Sequence, residues 1–315
     1  MSSPNSVPPG IIICALAAIL LTTGFTAVAN TLEVADSLDR RVILAEPAQR
    51  VITLAPHLVE NLYSAGGGEK IVGTVSFSNY PGAAKALPVI GSFNAFSLER
   101  IVTLQPDLIL MWGSGNGLQA LEQLQGLAVP VYVDELRTLE DLYRSIRNLG
   151  VLTGAATEAE QEATRLEQGF AQLRAQRAGV RRLSVFYQIW HEPLQTLNGD
   201  HLINEVIQIC GGTNVFADAA SLTPKVSLES VLDRDPDVIV ASGMSQSRPA
   251  WLENWRDYPG LKAVEHNALF SINPDQIQRP TARLLQGATA LCQQLDAVRA
   301  STARTTPLLL GTRPL

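Results

Sequence analysis

The chain has 315 residues, 46% of them hydrophobic and 17% charged, with a formal net charge of −6. That length accommodates two lobes of roughly 100–150 residues each. The acidic balance excludes a nucleic-acid partner, because neutralising phosphates needs a basic surface, and leaves small molecules and proteins as partners.

Residues 11–29 carry no charge and end in Ala27-Val28-Ala29. A small-x-small ending after an apolar run predicts a signal peptide over residues 1–29, cleaved after Ala29. Met1 to Gly10 lacks the usual Lys or Arg, and about 19 apolar residues also suffice for a membrane anchor. Both readings place the body of the protein outside the cytoplasm, in the periplasm. Cys14 falls inside this segment, which leaves Cys210 and Cys292 in an oxidising compartment. There a disulfide is the default, with two buried thiols as the alternative.

Residues 30–49 read as a polar lead-in and 50–153 as a first lobe. Arg50 to Leu54 is a short β-branched strand, Leu58 to Gly66 a helix, and Ile71 to Phe77 a second strand. Ser97-Leu98-Glu99 opens a helix that breaks at Pro106-Asp107 before the strand Leu108 to Trp112. A helix from Gly117 to Leu124, a strand from Val129 to Val133 and a helix from Leu139 to Leu152 follow. Residues 154–180 hold one amphipathic helix, Thr157 to Ala178, with Ala159, Ala163, Leu166, Phe170 and Leu173 on one face. It would extend about 33 Å and is the natural connector. The second lobe, 181–300, has strands at Leu183 to Ile189, Val238 to Ala241 and Leu269 to Ile272. Its helices are expected at Leu202 to Cys210, Ala250 to Tyr258 and Thr281 to Ala300, with a loose tail over 301–315. Ser227-Leu228-Glu229 to Val240 repeats the Ser97 to Leu110 stretch 130 residues later. Alternating strands and helices with an internal repeat predict an α/β fold: two similar lobes with mostly parallel sheets, joined by one long backbone helix.

Ligands of open α/β sheets bind beyond the carboxyl ends of the strands. Phe77, Phe93, Phe96 and Trp112 lie there in the first half, and Ile189-Trp190-His191 and Asp275 to Arg279 in the second. Facing aromatics suit a large, partly aromatic ligand, and a guanidinium at Arg279 suits an amide, carboxylate or phosphate oxygen. Any of these aromatics alone is also accounted for as a plug of its lobe's core. Glu99 and Glu229 sit in the first turn of a helix, where a carboxylate complements the backbone dipole; their duplication also fits a partner with two matched basic sites. His57 and His191 are a weak candidate pair for a metal or haem iron. Gly113 to Gly117 is a strand-to-helix turn without the Lys of a P-loop. No nucleophile elbow or zinc-protease motif is present in the sequence. An enzyme, such as a periplasmic hydrolase on the same units, would need a nucleophile–base pair that these residues do not supply.

The chain resembles the periplasmic binding proteins of ABC importers for vitamin B12, haem and iron-siderophores, and within them the B12 branch. The resemblance runs from Arg50 to about Val298, carried by Arg50-Val51-Ile52-Thr53-Leu54-Ala55-Pro56, Ser97 to Val102 with Pro106-Asp107-Leu108, Val185-Phe186 with Gln188, Ile209-Cys210-Gly211-Gly212, and Val226-Ser227 with Glu229. It implies a non-enzymatic, monomeric receptor that captures cobalamin or a related corrinoid as cargo, without a cofactor, and delivers it to the membrane subunits of an ABC importer. Haem or an iron-siderophore is the alternative cargo, with His57 or Tyr80 on iron. It further implies a disulfide between Cys210 and Cys292, docking through Glu99 and Glu229, and cargo contacts from Phe77, Phe93, Trp112, Asp275 and Arg279. In the second lobe Ile189, Gln195 and Thr223 stand where the B12 branch has aromatics, and Trp190 is expected to compensate from the next position.

Overall fold

The computed structural model describes residues 1–2, 31–243 and 249–305. The expected leader from residue 3 onward, Cys14 included, and residues 306–315 of the expected tail lie outside them; residues 301–305, expected to be loose, instead continue the last helix. Among the described residues no helix is long and apolar enough to cross a membrane.

The lead-in is a hairpin, β1 (Leu32–Ala35) antiparallel to β2 (Arg41–Leu44). Val34, Val42 and Leu44 turn into the core while Glu33 and Arg41 pair on the outer face. The alternation spans only four residues per strand, the short end of what marks a half-buried strand. Next come β3 (Val51–Thr53), α1 (Pro56–Ser64), β4 (Ile71–Gly73), β5 (Gly91–Ser92), β6 (Ala95–Phe96) and α2 (Leu98–Thr103). The first lobe is completed by β7 (Leu108–Trp112), α3 (Gly113–Asn116), α4 (Leu118–Gln125), β8 (Val131–Asp134) and α5 (Leu139–Thr153). The expected strand from Ile71 to Phe77 is cut short: β4 ends at Gly73, Thr74 makes a single bridge to Val89, and Phe77 lies in a turn.

The connector α6 (Ala156–Gln176) buries Ala159, Ala163, Leu166, Phe170 and Leu173, the five residues of the predicted face. Beyond it lie β9 (Leu183–Gln188), β10 (Trp190–His191), β11 (Leu194–Gln195), α7 (Leu202–Ile209), β12 (Gly212–Asn214) and α8 (Leu228–Arg234). The chain then forms β13 (Val238–Ala241), α9 (Lys262–Glu265), β14 (Leu269–Ser271), α10 (Pro274–Ile277) and α11 (Leu284–Thr305). Residues Ala250–Asp257 are a 3-10 helix rather than an α-helix.

Each lobe holds a four-stranded parallel sheet, in the orders β4-β3-β7-β8 and β12-β9-β13-β14. With strands counted from the start of each sheet, both orders read 2-1-3-4, so the repeated sequence reflects repeated topology. Ser97 and Ser227 cap α2 and α8 alike, each side chain accepting from the backbone N–H three residues on. One apolar core runs through the facing sides of both lobes and includes α5, α6 and α11. Each sheet also has a separate outer core, under α2 and α4 in the first lobe and under α8 in the second. Burying a fully enclosed Leu such as Leu166 contributes about 2 kcal/mol, so the shared core ties both lobes to the connector. Cys210, at the end of α7, is disulfide-bonded to Cys292 in α11, with their Cα atoms 4.5 Å apart.

Candidate functional site

In a sheet ordered 2-1-3-4, the order reverses between the first and third strands, and the crevice beyond their carboxyl ends is the ligand position. In the first lobe that point lies between β3 and β7. His57, just past β3, meets the ring of Trp112, the last residue of β7, edge-on at 5.3 Å. Phe93 packs on the same ring at 5.8 Å. Trp112 is seated by its local sequence: a Cβ at Gly115 would come within 1.9 Å of the indole, so only glycine permits the ring to lie there. Asn116 locks the arrangement. Its Oδ1 accepts from Trp112 N at 2.6 Å, and its amide donates to the carbonyls of Leu54 and Phe93. His57 is 5% exposed, and its pKa is pushed down to about 3, mainly by burial and secondarily by the charge of Arg279. It is a neutral prop behind Trp112, enclosed from any iron in the cleft.

Phe77 is 78% exposed with φ at +68°. The left-handed region costs a non-glycine residue about 1–2 kcal/mol, and a bulky aromatic held there in water gains no core packing in return. Strain of this kind concentrates where a ligand is handled.

The second lobe reaches this corner through the segment between α10 and α11. Arg279 Nη1 donates to Glu60 on α1 at 2.7 Å and to Asn79 at 3.2 Å; Nη2 lies 3.3 Å from the Phe77 carbonyl oxygen and 3.1 Å from Asp275. Arg283 also binds Glu60, through Nε and Nη2 at 2.8 Å each, and its guanidinium lies 4.0 Å over the Tyr80 ring. Between the lobes is a cavity of about 100 Å³, lined by Trp112, Ser114, Glu135 and Arg137 on one side and His201, Ile203, Ile277 and Pro280 on the other. Ligand pockets typically measure about 300–1,000 Å³, so this cavity alone is too small for a large cargo; Phe77 and Phe93 are exposed outside its lining. His201 in that wall is pushed down to about 4 by burial and then by Arg137.

Five of the six expected cargo residues fall into two contact sets: Phe93 with Trp112 by ring contact, and Phe77, Arg279 and Asp275 by polar contact. Trp190 is tied to its own hairpin, its Nε1 donating to Glu192 O and its ring 5.3 Å from His191, and it lines neither the interlobe cavity nor the second hollow. That hollow, of about 410 Å³, lies in the second lobe among His191, Trp251, Trp255, Tyr258 and Leu228, with His191 stacked on Trp251. Among the described residues no cluster of three metal-ligating side chains exists.

Glu99 and Glu229 are both exposed in the first turn of their helices. Glu229 is held below the usual carboxylate range by its own backbone N–H and then by the Ser227 hydroxyl. Two residues of the site carried no signal in the sequence, Glu60 and Glu135, whose carboxylate accepts from Ser114 N at 2.8 Å and pairs with Arg137 at 2.8 Å; Gly115 and Asn116 read in the sequence only as part of a strand-to-helix turn. Beside Trp112 in the sheet register, Asp134 is fully buried with one oxygen accepting from Ser145 and the other unpartnered; burial pushes its pKa up to about 7.

The periplasmic binding protein family matches residues 51–276 of this chain. A vitamin B12-binding protein of Vibrio parahaemolyticus is 35% identical over 254 residues, covering 81% of this chain and 92% of its own length. The crystal structure of the periplasmic vitamin B12 binding protein of Vibrio cholerae superposes with a TM-score of 0.74 at 33% identity, covering 80% of this chain and 98% of that one. A periplasmic haem-binding protein from Pseudomonas aeruginosa shares the fold, with a TM-score of 0.68 at 22% identity over 78% of this chain and 91% of that one.

Proposed function

The chain belongs to the periplasmic binding protein family, whose members bind substrates and are not enzymes, and on that premise we propose that it captures vitamin B12 or a related corrinoid between its lobes and hands it to an ABC importer. The family places it in the periplasm. The observation that carries the cargo assignment is the aromatic corner of the first lobe. There Trp112, braced by His57, Gly115 and Asn116, packs with Phe93, and the strained, exposed Phe77 meets Arg279 of the second lobe through its carbonyl. Flat rings at a cleft mouth suit the broad face of a macrocycle, and burying each one contributes about 1.5–3 kcal/mol. Arg279 and Asp275 supply directed polar groups for the amide or phosphate periphery of such a cargo. The similarity to B12-binding proteins at about 35% identity supports the corrinoid over haem; the enclosure of His57 removes one of the two alternative iron ligands, and Tyr80, 44% exposed, is the other. Glu99 and Glu229, exposed at matching places on two lobes of one topology, are the points that would meet a two-fold membrane partner, and the receptor acts as a monomer.

The test is a titration of the purified mature protein with cyanocobalamin, haemin and a ferric siderophore, followed by calorimetry and by the ligands' visible spectra. Heat with cyanocobalamin and no Soret shift with haemin is expected. A Soret shift with haemin and no heat with cyanocobalamin would overturn the assignment.

A further inference from the structure

We propose that Glu60 is the positioning residue of the cargo cleft: it aims the Arg279 guanidinium and, through Arg279 and Arg283, sets the Phe77–Tyr80 turn. The inference rests on the corrinoid reading above for its ligand but on the interlobe geometry for its mechanism.

The carboxylate of Glu60 is nearly fully enclosed, with 2% of the side chain exposed, and both oxygens are used. Oε1 accepts from Arg279 Nη1 and Arg283 Nη2, and Oε2 accepts from Arg283 Nε. A buried carboxylate is tolerated only when paired and fully hydrogen-bonded, and here two guanidinium groups from the other lobe satisfy it. Arg279 therefore has two unlike ends. Nη1 is held by the 2.7 Å charge-assisted bond to Glu60, whereas Nη2 makes longer contacts of 3.1 Å to Asp275 and 3.3 Å to the Phe77 carbonyl. A carbonyl or phosphate oxygen of an arriving cargo takes the place of the Phe77 carbonyl at Nη2 while Nη1 stays on Glu60.

The same pair of arginines touches the first-lobe turn at three of its four residues. Arg279 reaches the Phe77 carbonyl and the Asn79 side chain, and Arg283 covers the Tyr80 ring. The strained Phe77 conformation is thus set from the opposite lobe, with Glu60 as the common anchor. With Glu60 and Asp275 opposing Arg279 and Arg283, the cluster is neutral in sum, and the fork is presented in a fixed direction rather than as a free positive charge.

The experiment is a double-mutant cycle on cyanocobalamin affinity with Glu60→Gln, Arg279→Ala and both together, alongside Glu60→Gln combined with Trp112→Ala. Glu60→Gln is expected to weaken binding about tenfold, and to have a clearly smaller effect in the Arg279→Ala background, where only the Arg283 route to the turn remains, while its effect adds fully to that of Trp112→Ala. A purely structural role predicts a lower melting temperature with unchanged affinity, or equal additivity in both backgrounds, and either result overturns the proposal. Arginine side-chain NMR of the ligand-free wild type gives a second reading that survives a misfolded variant or a failure of the corrinoid assignment. Slow exchange of the Arg279 Nη1 protons supports the anchor; exchange as fast as that of an exposed arginine overturns it. Absence of heat with cyanocobalamin in the wild type would strike the proposed function and leave this NMR result to decide the positioning role.

Discussion

Phe77→Gly separates a ligand-handling residue from a structural one, because it is expected to leave stability nearly unchanged while weakening cargo binding. The φ of +68° is free for glycine, so the substitution relieves about 1–2 kcal/mol of backbone strain. Against this, glycine's extra freedom in the unfolded chain costs about 0.5–1 kcal/mol. The ring is 78% exposed, so its loss removes about 0.5 kcal/mol of burial. The net effect lies between about −0.5 and +1 kcal/mol, which keeps the melting temperature within about 4 °C of the wild type. The exposed part of the ring, buried only when cargo arrives, is worth about 1.2–2.3 kcal/mol, or roughly 8- to 50-fold in affinity. The carbonyl that faces Arg279 survives in glycine, so the difference reports the ring alone. Calorimetric titration with cyanocobalamin and a thermal melt of both proteins read the two quantities. Unchanged affinity, or a loss of more than about 2 kcal/mol in stability, would refute the reasoning.

Replacing Glu99 and Glu229 together with alanine should leave cyanocobalamin affinity within about twofold, since neither carboxylate touches the aromatic corner, and should cut cargo uptake by at least about tenfold in vesicles carrying the importer; lost affinity would contradict the docking role. Asp134→Asn should change the pH dependence of stability. The folded pKa of Asp134 is raised from 3.8 to about 7, so the folded state holds the proton more tightly and wild-type stability falls as pH climbs from 3.8 to about 7. Denaturant melts should therefore favour the variant at pH 8, by at most about 4 kcal/mol, and give no advantage at pH 4; His57 and His201 contribute with opposite sign in the same window but cancel between wild type and variant. An equal effect at both pH values would contradict it. Cys210→Ser with Cys292→Ser removes a cross-link closing an 82-residue separation, with a chain-entropy loss of about 4.5 kcal/mol and a fall in melting temperature of about 10 °C; a shift under about 2 °C would show that the link adds little.

The duplicated Ser-Leu-Glu unit made the two-lobed architecture legible, because a capped helix, a Pro-Asp break and an apolar strand are all local signals. The connector was equally legible from five apolar residues at helical spacing. Short elements were not: β12 is Gly-Thr-Asn, with no apolar run, and β4 stops at Gly73 although Val75 continues the apolar pattern. Trp112 could be placed because a strand end is a positional inference, whereas Trp190, also near a strand end, turns onto its own hairpin. Glu60 escaped entirely. Its site partners Arg279 and Arg283 lie 219 and 223 residues away, and inside α1 a lone glutamate looks like any helical surface residue. Gly115 and Asn116 were hidden for a related reason, since a glycine-rich turn suggests freedom until the indole resting on it is seen.

The central claim, capture of a corrinoid by both lobes at once, is tested most directly by backbone amide hydrogen exchange with and without saturating cyanocobalamin. The account predicts slowed exchange in the Phe77–Tyr80 turn and the Phe93 hairpin of the first lobe, together with the Asp275–Thr281 segment of the second. Protection confined to one lobe, or absent from both, would contradict it.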